Sequence, residues 1–336
     1  MTTSDDTPVP DYMARQRLDG RNYVVLGAGQ GIGRQVTHAL AQAGAATIIT
    51  VDIDEARARE VADEIGVGMA WTGDATKRSE AVRLAAFVRE RVGVLNGFVD
   101  VIGISGWSDI LEISDEMWDS QFDLGLRHAY LASQELGRLL VEQGGTMVFV
   151  ASVSGLTGAP MHAAYGAAKA ALMAWVQSLA VELGPLGVRA NAVAPGSTLT
   201  PRSRQNMTTE RLEQTGRMTP LGRIGQPDDI AGAVLFFTTD LSSHVTGRTL
   251  VVDGGVSSLF PYLSLIDMEA AKTLRDRQSG RVVAAADPHY AHRVGSVPVG
   301  AHAGCLRQHR EKPVGPLDHF GHHREVGRCV DECHPS

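Results

Sequence analysis

The sequence predicts an α/β protein with one doubly wound, seven-stranded parallel sheet in a single domain. Two patterns predict it. Short apolar, β-branched runs alternate with helix-length segments from about residue 22 to residue 255, and parallel strands covered on both faces read as such runs. The first run ends in a glycine cluster that opens a helix, the strand–turn–helix arrangement of a nucleotide site. The 336 residues, 43% of them hydrophobic and 21% charged, suffice for a substantial core.

The elements follow in order. Asn22 to Leu26 is the first strand and Ile32 to Ala43 the first helix. A β-branched run, Thr47 to Val51, precedes a helix over Glu55 to Ile65; a weaker strand, Met69 to Trp71, precedes a helix over Ser79 to Val92. Strand Gly97 to Ile102 leads to one long helix from about Asp115 to Glu142. Strand Thr146 to Val150, helix Ala163 to Leu183, strand Arg189 to Val193, helix Pro227 to Thr238 and strand Leu250 to Val252 complete the set. Residues 1–17 read as an N-terminal extension, 18–262 as the domain and 263–336 as a C-terminal extension.

Composition excludes several classes. The net charge of −7 gives no basic surface for nucleic acid or an anionic membrane. No apolar run reaches the ~18 residues of a membrane span, and residues 1–10 hold no signal-peptide core. Cys305, Cys329 and Cys333 all fall late in the chain, so no disulfide framework supports the main body and a reducing, cytoplasmic compartment is expected. From about residue 276 the composition shifts to Arg, Gly and Pro, with eight of the twelve histidines. This stretch reads as a disordered tail or as GC-rich coding sequence translated out of frame. Cys329, Cys333 and His334, with His319, His322 and His323, match no standard zinc spacing, and no metal is expected.

Gly27, Gly31 and Gly33 shape the turn after the first strand. There the backbone must turn tightly and approach a pyrophosphate, whose charge the amides and helix N-terminus hold. Asp52 ends the second strand, where a carboxylate accepts from ribose hydroxyls and repels a 2′-phosphate; with Gln30 rather than a cation in the turn, this favours NAD over NADP. Asp54 is the rival carboxylate. Asp74, after the third strand, is placed to bond the adenine amino group.

Tyr165 and Lys169, four apart on one helix, share a face. A tyrosine with an ordinary pKa of about 10 is a poor base at neutral pH; an ammonium and a cationic nicotinamide would favour its phenolate. Ser152, at the end of the preceding strand, could bond a substrate oxygen while Tyr165 exchanges the proton.

With these motifs in order, residues 18–255 resemble the short-chain dehydrogenase/reductase family. The resemblance rests on Gly27-Ala28-Gly29-Gln30-Gly31-Ile32-Gly33, Asp74, Ser152, Tyr165-Gly166-Ala167-Ala168-Lys169, Asn191-Ala192-Val193-Ala194-Pro195-Gly196, Gln226-Pro227-Asp228-Asp229-Ile230-Ala231 and Val252-Asp253-Gly254-Gly255. It implies a Rossmann-type fold and an NAD-dependent oxidoreductase interconverting secondary alcohols and ketones. Ser152 would orient the substrate, Tyr165 would be the general acid/base, and Lys169 would bind the nicotinamide ribose and lower the tyrosine pKa. The cofactor would touch Gly27, Gln30, Gly31, Ile32, Gly33, Asp52, Ile53, Asp74, Ala75, Gly103, Tyr165, Lys169, Pro195, Gly196, Thr198 and Thr200, the last at the carboxamide. The long helices around 115–142 and 162–184 would form the interface of a homotetramer or homodimer.

Two positions depart from the family pattern. Its Asn-Asn-Ala-Gly after the fourth strand stands here as Asp100-Val101-Ile102-Gly103, so the asparagine that braces the central sheet is Asp100. The family's catalytic asparagine, seven residues after Trp118, is Gly125. Either the proton relay beyond Lys169 is altered, or catalysis is weakened and the protein mainly binds nucleotide. His128, a turn further on, reads as a surface or interface residue, with a proton shuttle as the rival. Trp107, Leu156, Met161, His162 and Leu199 are expected to line a largely apolar substrate pocket without an arginine clamp. They suit a hydrophobic, alicyclic, steroid-like or aromatic alcohol or ketone, with a 3-oxoacyl-carrier-protein ketone reductase as runner-up.

Overall fold

In a computed structural model, residues 7–259 are described. The strands are β1 (Asn22–Leu26), β2 (Thr47–Asp52), β3 (Gly68–Thr72), β4 (Gly97–Asp100), β5 (Gly145–Val150), β6 (Val188–Pro195) and β7 (Thr249–Val252). All pair in parallel in the order β3-β2-β1-β4-β5-β6-β7. This is the expected doubly wound, Rossmann-type sheet, and the order reverses between β1 and β4, where such sheets open a crevice for ligands.

The helices are α1 (Gly31–Gln42), α2 (Glu55–Ile65), α3 (Arg78–Arg91), α4 (Asp115–Phe122), α5 (His128–Glu135), α6 (Gly137–Leu140), α7 (Ala163–Leu183), α8 (Pro201–Asn206), α9 (Thr209–Arg217) and α10 (Pro227–Thr238). Strand side chains alternate between faces, so each face has its own core. One packs Phe98 and Phe149, edge to face at 5.5 Å, with Leu84 and Val88 of α3, Leu139 of α6, and Leu172 and Val176 of α7. The other packs Val25, Ile48 and Val99 against Val36 and Leu40 of α1 and Ile230, Val234 and Phe237 of α10. Leu18 is wholly buried in that second core and bonds Ala43 O through its backbone, so the packed region begins there.

Three expectations change. The strand expected over residues 97–102 ends at Asp100, because the Asp100 carboxylate takes the Ile102 amide at 3.1 Å and turns the chain out of the sheet. The single helix expected over 115–142 is interrupted. Between α4 and α5, residues Asp123–Arg127 form a π-helical turn in which the His128 amide reaches back to Asp123 O. Helices α8 and α9 were not anticipated in the segment after Gly196. Both have sequence-level starts, with Thr200 capping α8 ahead of Pro201 and Thr208 capping α9; a capping hydroxyl followed by proline is a helix-start signal. The tail beyond residue 276, with its cysteines and the zinc alternative, lies outside the described residues.

Candidate active site

The site lies along the C-terminal ends of β1, β2, β4, β5 and β6, with Tyr165 and Lys169 brought to it by α7. A cleft of about 510 Å³ is lined by Gly27, Gln30, Gly31, Ile32, Asp52, Ile53, Asp74, Ala75, Gly103 and Thr200. These are ten of the expected cofactor positions. Gly33 lies behind the cleft: a Cβ there would run into the Gly27 carbonyl, so glycine lets α1 pack against the turn. The cradle fits a dinucleotide, since Gly29 and Gly31 leave the turn without side chains at the N-terminus of α1.

Asp52 is tied into this turn. One of its oxygens accepts the Gly29 amide at 2.9 Å and the other the Asp54 amide at 3.0 Å. Asp54, the rival, is occupied as the N-cap of α2, accepting from Ala56 and Arg57. Arg57 also lines the cleft and pairs with Asp54 at 3.3 Å; its cation beside Asp52 was not foreseen. Asp74 accepts from the Thr76 amide and hydroxyl.

The adjoining cavity, about 900 Å³, is lined by Ser152, Tyr165 and Lys169 with Pro195, Gly196, Thr198, Thr200, Trp107 and His162. Ser152 sits where β5 gives way to a short 3₁₀ turn, and its hydroxyl accepts the Ser154 amide at 3.1 Å. Tyr165 and Lys169 share one face of α7, with the ammonium 5.9 Å from the phenol ring centre. Burial pushes the Tyr165 phenol above its ordinary value, and a hydrogen bond with Ser152 opposes that rise. Lys169 is fully enclosed. Its Nζ donates to Val150 O at 2.9 Å and Ile102 O at 3.3 Å, leaving one of three N–H groups for a further acceptor. Burial pulls its pKa from 10.5 down to about 8, against the raising influence of Asp100. Gly103 remains glycine because a Cβ would come within 3.0 Å of that Nζ.

Asp100 and His128 form a buried pair, His128 Nδ1 lying 2.7 Å from Asp100 Oδ2. His128 is therefore a core residue, not the surface or interface residue expected; its ring is held by a carboxylate inside the same chain. Gly125, in the π turn, faces α7 closely, and a Cβ there would come within 2.7 Å of Ala168 Cβ.

The substrate side differs from expectation. Trp107 and His162 stack with ring centres 3.9 Å apart, and His162 lies 5.0 Å from the Tyr165 ring. Leu156, Met161 and Leu199 are not among the cavity-lining residues. Leu156 and Met161 are exposed, Met161 in a left-handed conformation (φ 61°), and Leu199 is drawn toward Gly225 by a backbone bond. Beyond the stacked rings the wall is more apolar than polar, with Ile104, Val153, Ala159, Met207 and Ile224 beside Ser105, Ser154 and Thr157 and the guanidinium-bearing Arg202 and Arg211 from α8 and α9. Arg202 and Arg204 in the segment after Gly196 could as well face solvent by sequence; Arg202 reaches the cavity, and so does Arg211, which the sequence does not single out. His162 Nδ1 meets the Ser154 hydroxyl at 3.3 Å, whereas its buried Nε2 has no protein partner.

Known proteins place the chain. The family described as enoyl-(acyl carrier protein) reductase matches residues 27–257. L-rhamnose 1-dehydrogenase (NAD(P)(+)) of Azotobacter vinelandii is 36% identical over 251 residues, 71% of this chain and 97% of that protein. Galactitol 2-dehydrogenase (L-tagatose-forming) of Cereibacter sphaeroides is 37% identical over 251 residues, 73% of this chain and 98% of that protein. Among solved structures, a 7α-hydroxysteroid dehydrogenase complexed with NADH and 7-oxo glycochenodeoxycholic acid superposes with a TM-score of 0.71 at 29% identity, covering 73% of this chain and 98% of its own. With this agreement in sequence and fold, the chain belongs to the short-chain dehydrogenase/reductase family of NAD(P)-linked oxidoreductases.

Proposed function

We propose that this protein is an NAD-dependent dehydrogenase/reductase interconverting a secondary alcohol and its ketone on an alicyclic, steroid-like or aromatic ring compound. The observation that carries this reading is the convergence of Ser152, Tyr165 and Lys169 on one cavity that adjoins the dinucleotide cleft. A bound nicotinamide would accept hydride from the alcohol carbon or return it to the ketone. The chain's own groups do the rest. Ser152 holds the substrate oxygen, and Tyr165 takes its proton during oxidation and gives it back during reduction. Lys169 offers its remaining N–H to the nicotinamide ribose, and its charge favours the phenolate against burial.

The Trp107–His162 stack supports a ring substrate, since a flat aromatic face packs well against an alicyclic or aromatic ring. The relatives act on sugars, polyols and a steroid by their names, and Ser154, Thr157 and the unpartnered His162 Nε2 would bond hydroxyls on such a ring. Asp52 supports NAD. Arg57 at the same cleft favours NADP as the second reading, because a guanidinium beside the ribose can neutralise a 2′-phosphate. Residues 18–262 would form the catalytic domain, active as a homodimer or homotetramer.

Steady-state assays with ring and open-chain secondary alcohols, each with NAD and NADP, test this. NAD-dependent oxidation of a ring alcohol is expected, and conversion of Asp52 to Ser should shift preference toward NADP by tenfold or more, as about 1.4 kcal/mol of relieved repulsion would give. Tight NAD binding without turnover of any alcohol or ketone would favour the nucleotide-binding alternative.

A further inference from the structure

Asp100, Gly125 and His128 are the positions where this chain departs from, or adds to, the family pattern, and they meet in one place. Asp100 ends β4, Gly125 lies in the π turn, and His128 opens α5. Asp100 and His128 are 1% exposed, so their contact is shielded from solvent and salt. A buried carboxylate and imidazole remain in a core only when both are satisfied, and here every polar atom of the pair has a partner.

Those partners lead to Lys169. Asp100 Oδ2 takes His128 Nδ1, while Asp100 Oδ1 fixes the Ile102 amide at 3.1 Å. The carbonyl of that residue accepts from Lys169 Nζ. On the other side, His128 Nε2 reaches Leu124 O at 3.1 Å, and Leu124 lines the dinucleotide cleft. In the π turn the His128 amide bonds Asp123 O, and the His128 side chain supplies Leu124 O with a donor. A carbonyl only accepts, so Nε2 is the donor to Leu124 O, and Nδ1 shares a hydrogen bond with Asp100 Oδ2.

We propose that Asp100 and His128 act together as positioning residues for Lys169, clamping the end of β4 to the π turn on either side of the ammonium. The pair does by a buried carboxylate–imidazole hydrogen bond what an asparagine at the Asp100 and Gly125 positions would do by amide hydrogen bonds. Gly125 belongs to the same solution, because the turn drawn in by His128 leaves no room for a Cβ against Ala168. Asp100 also favours the charged form of Lys169 against burial. Asp100 and Tyr165 are the titratable groups that face the ammonium among the described residues, with His128 acting through Asp100.

This inference rests on the proposed oxidoreductase reading, so the test has a readout independent of turnover. Full-length Asp100→Asn, His128→Gln and the double variant are compared with wild type in kcat, in KM for NAD and alcohol, in the pH dependence of kcat and in thermal melting. Each single variant is expected to lose tenfold or more in kcat with KM for alcohol changed less than twofold. In Asp100→Asn the alkaline limb should move to lower pH, since Lys169 loses a carboxylate that favours its ammonium. The double variant should lose little more than either single, as for residues acting as a unit. Folded variants with wild-type kcat and pH profile would overturn the proposal, as would losses matching only the fraction unfolded. Should the variants fail to fold, wild-type protein labelled with ¹⁵N-histidine decides. One solvent-protected ring with hydrogen bonds at both nitrogens supports the clamp; a protected ring with either nitrogen free of a hydrogen bond contradicts it. Wild type inactive on every alcohol and ketone, yet showing that ring, would fail the function and not the clamp.

Discussion

At the scale of single residues, the enclosed lysine carries the sharpest consequence. Lys169 has a folded-state pKa of about 8 against 10.5 unfolded. Folding therefore opposes its charge, and the unfolded chain binds that proton more tightly. Stability is reduced at pH 7, on the order of 3 kcal/mol from this group, and the deficit is relieved as pH rises from about 8 to 10.5. Replacement by methionine removes the titration along with the two carbonyl bonds. The difference in unfolding free energy between Lys169→Met and wild type should thus move in favour of wild type, by about 2 kcal/mol, between pH 7.5 and pH 10. Urea titrations at the two pH values check this, and a pH-independent difference would contradict it. The same variant should lose about 10²–10⁴ in kcat. His162 offers a second residue-scale outcome. If its Nε2 bonds a ring hydroxyl, His162→Phe should keep the stack on Trp107 yet raise KM for hydroxylated substrates about tenfold, as one lost hydrogen bond to substrate would.

At the scale of elements, the π turn between α4 and α5 departs most from what the sequence announces. Gly125 faces Ala168 across α7, so Gly125→Asn overpacks this contact. It should destabilise the protein by about 1–3 kcal/mol and should not raise turnover; a melt and a kcat measurement decide, and a large gain in kcat would mean that a side chain is truly missing there. The elements themselves were mostly legible. Asn22–Leu26, Ala163–Leu183 and Pro227–Thr238 match the expected bounds, because apolar periodicity and proline or glycine punctuation mark them. The π turn was not legible, since one extra residue in a helix leaves the apolar pattern nearly intact. The burial of His128 was not legible either, because its partner Asp100 is 28 residues away and only the fold brings them together. Helices α8 and α9 are not announced by apolar periodicity despite their threonine caps, and Arg211 at the cavity goes with them.

At the scale of the whole molecule, the sheet order decides where chemistry can occur. The reversal between β1 and β4 opens the dinucleotide cleft, and β5 and β6 deliver Ser152 and the Pro195–Thr200 segment beside it. Turn glycines, a strand-end carboxylate and a Tyr-x-x-x-Lys pair were readable in sequence because each is local; their convergence follows from parallel strands whose C-terminal ends all point the same way. Among the described residues, no helix is long and apolar enough to cross a membrane. The most direct test of the central claim is NADH formation by wild type and Tyr165→Phe across a panel of ring-bearing secondary alcohols. Wild type is expected to turn over at least one such alcohol, and the variant to lose about 10²–10⁴ in kcat while still binding NAD. Equal rates in the two proteins would contradict it.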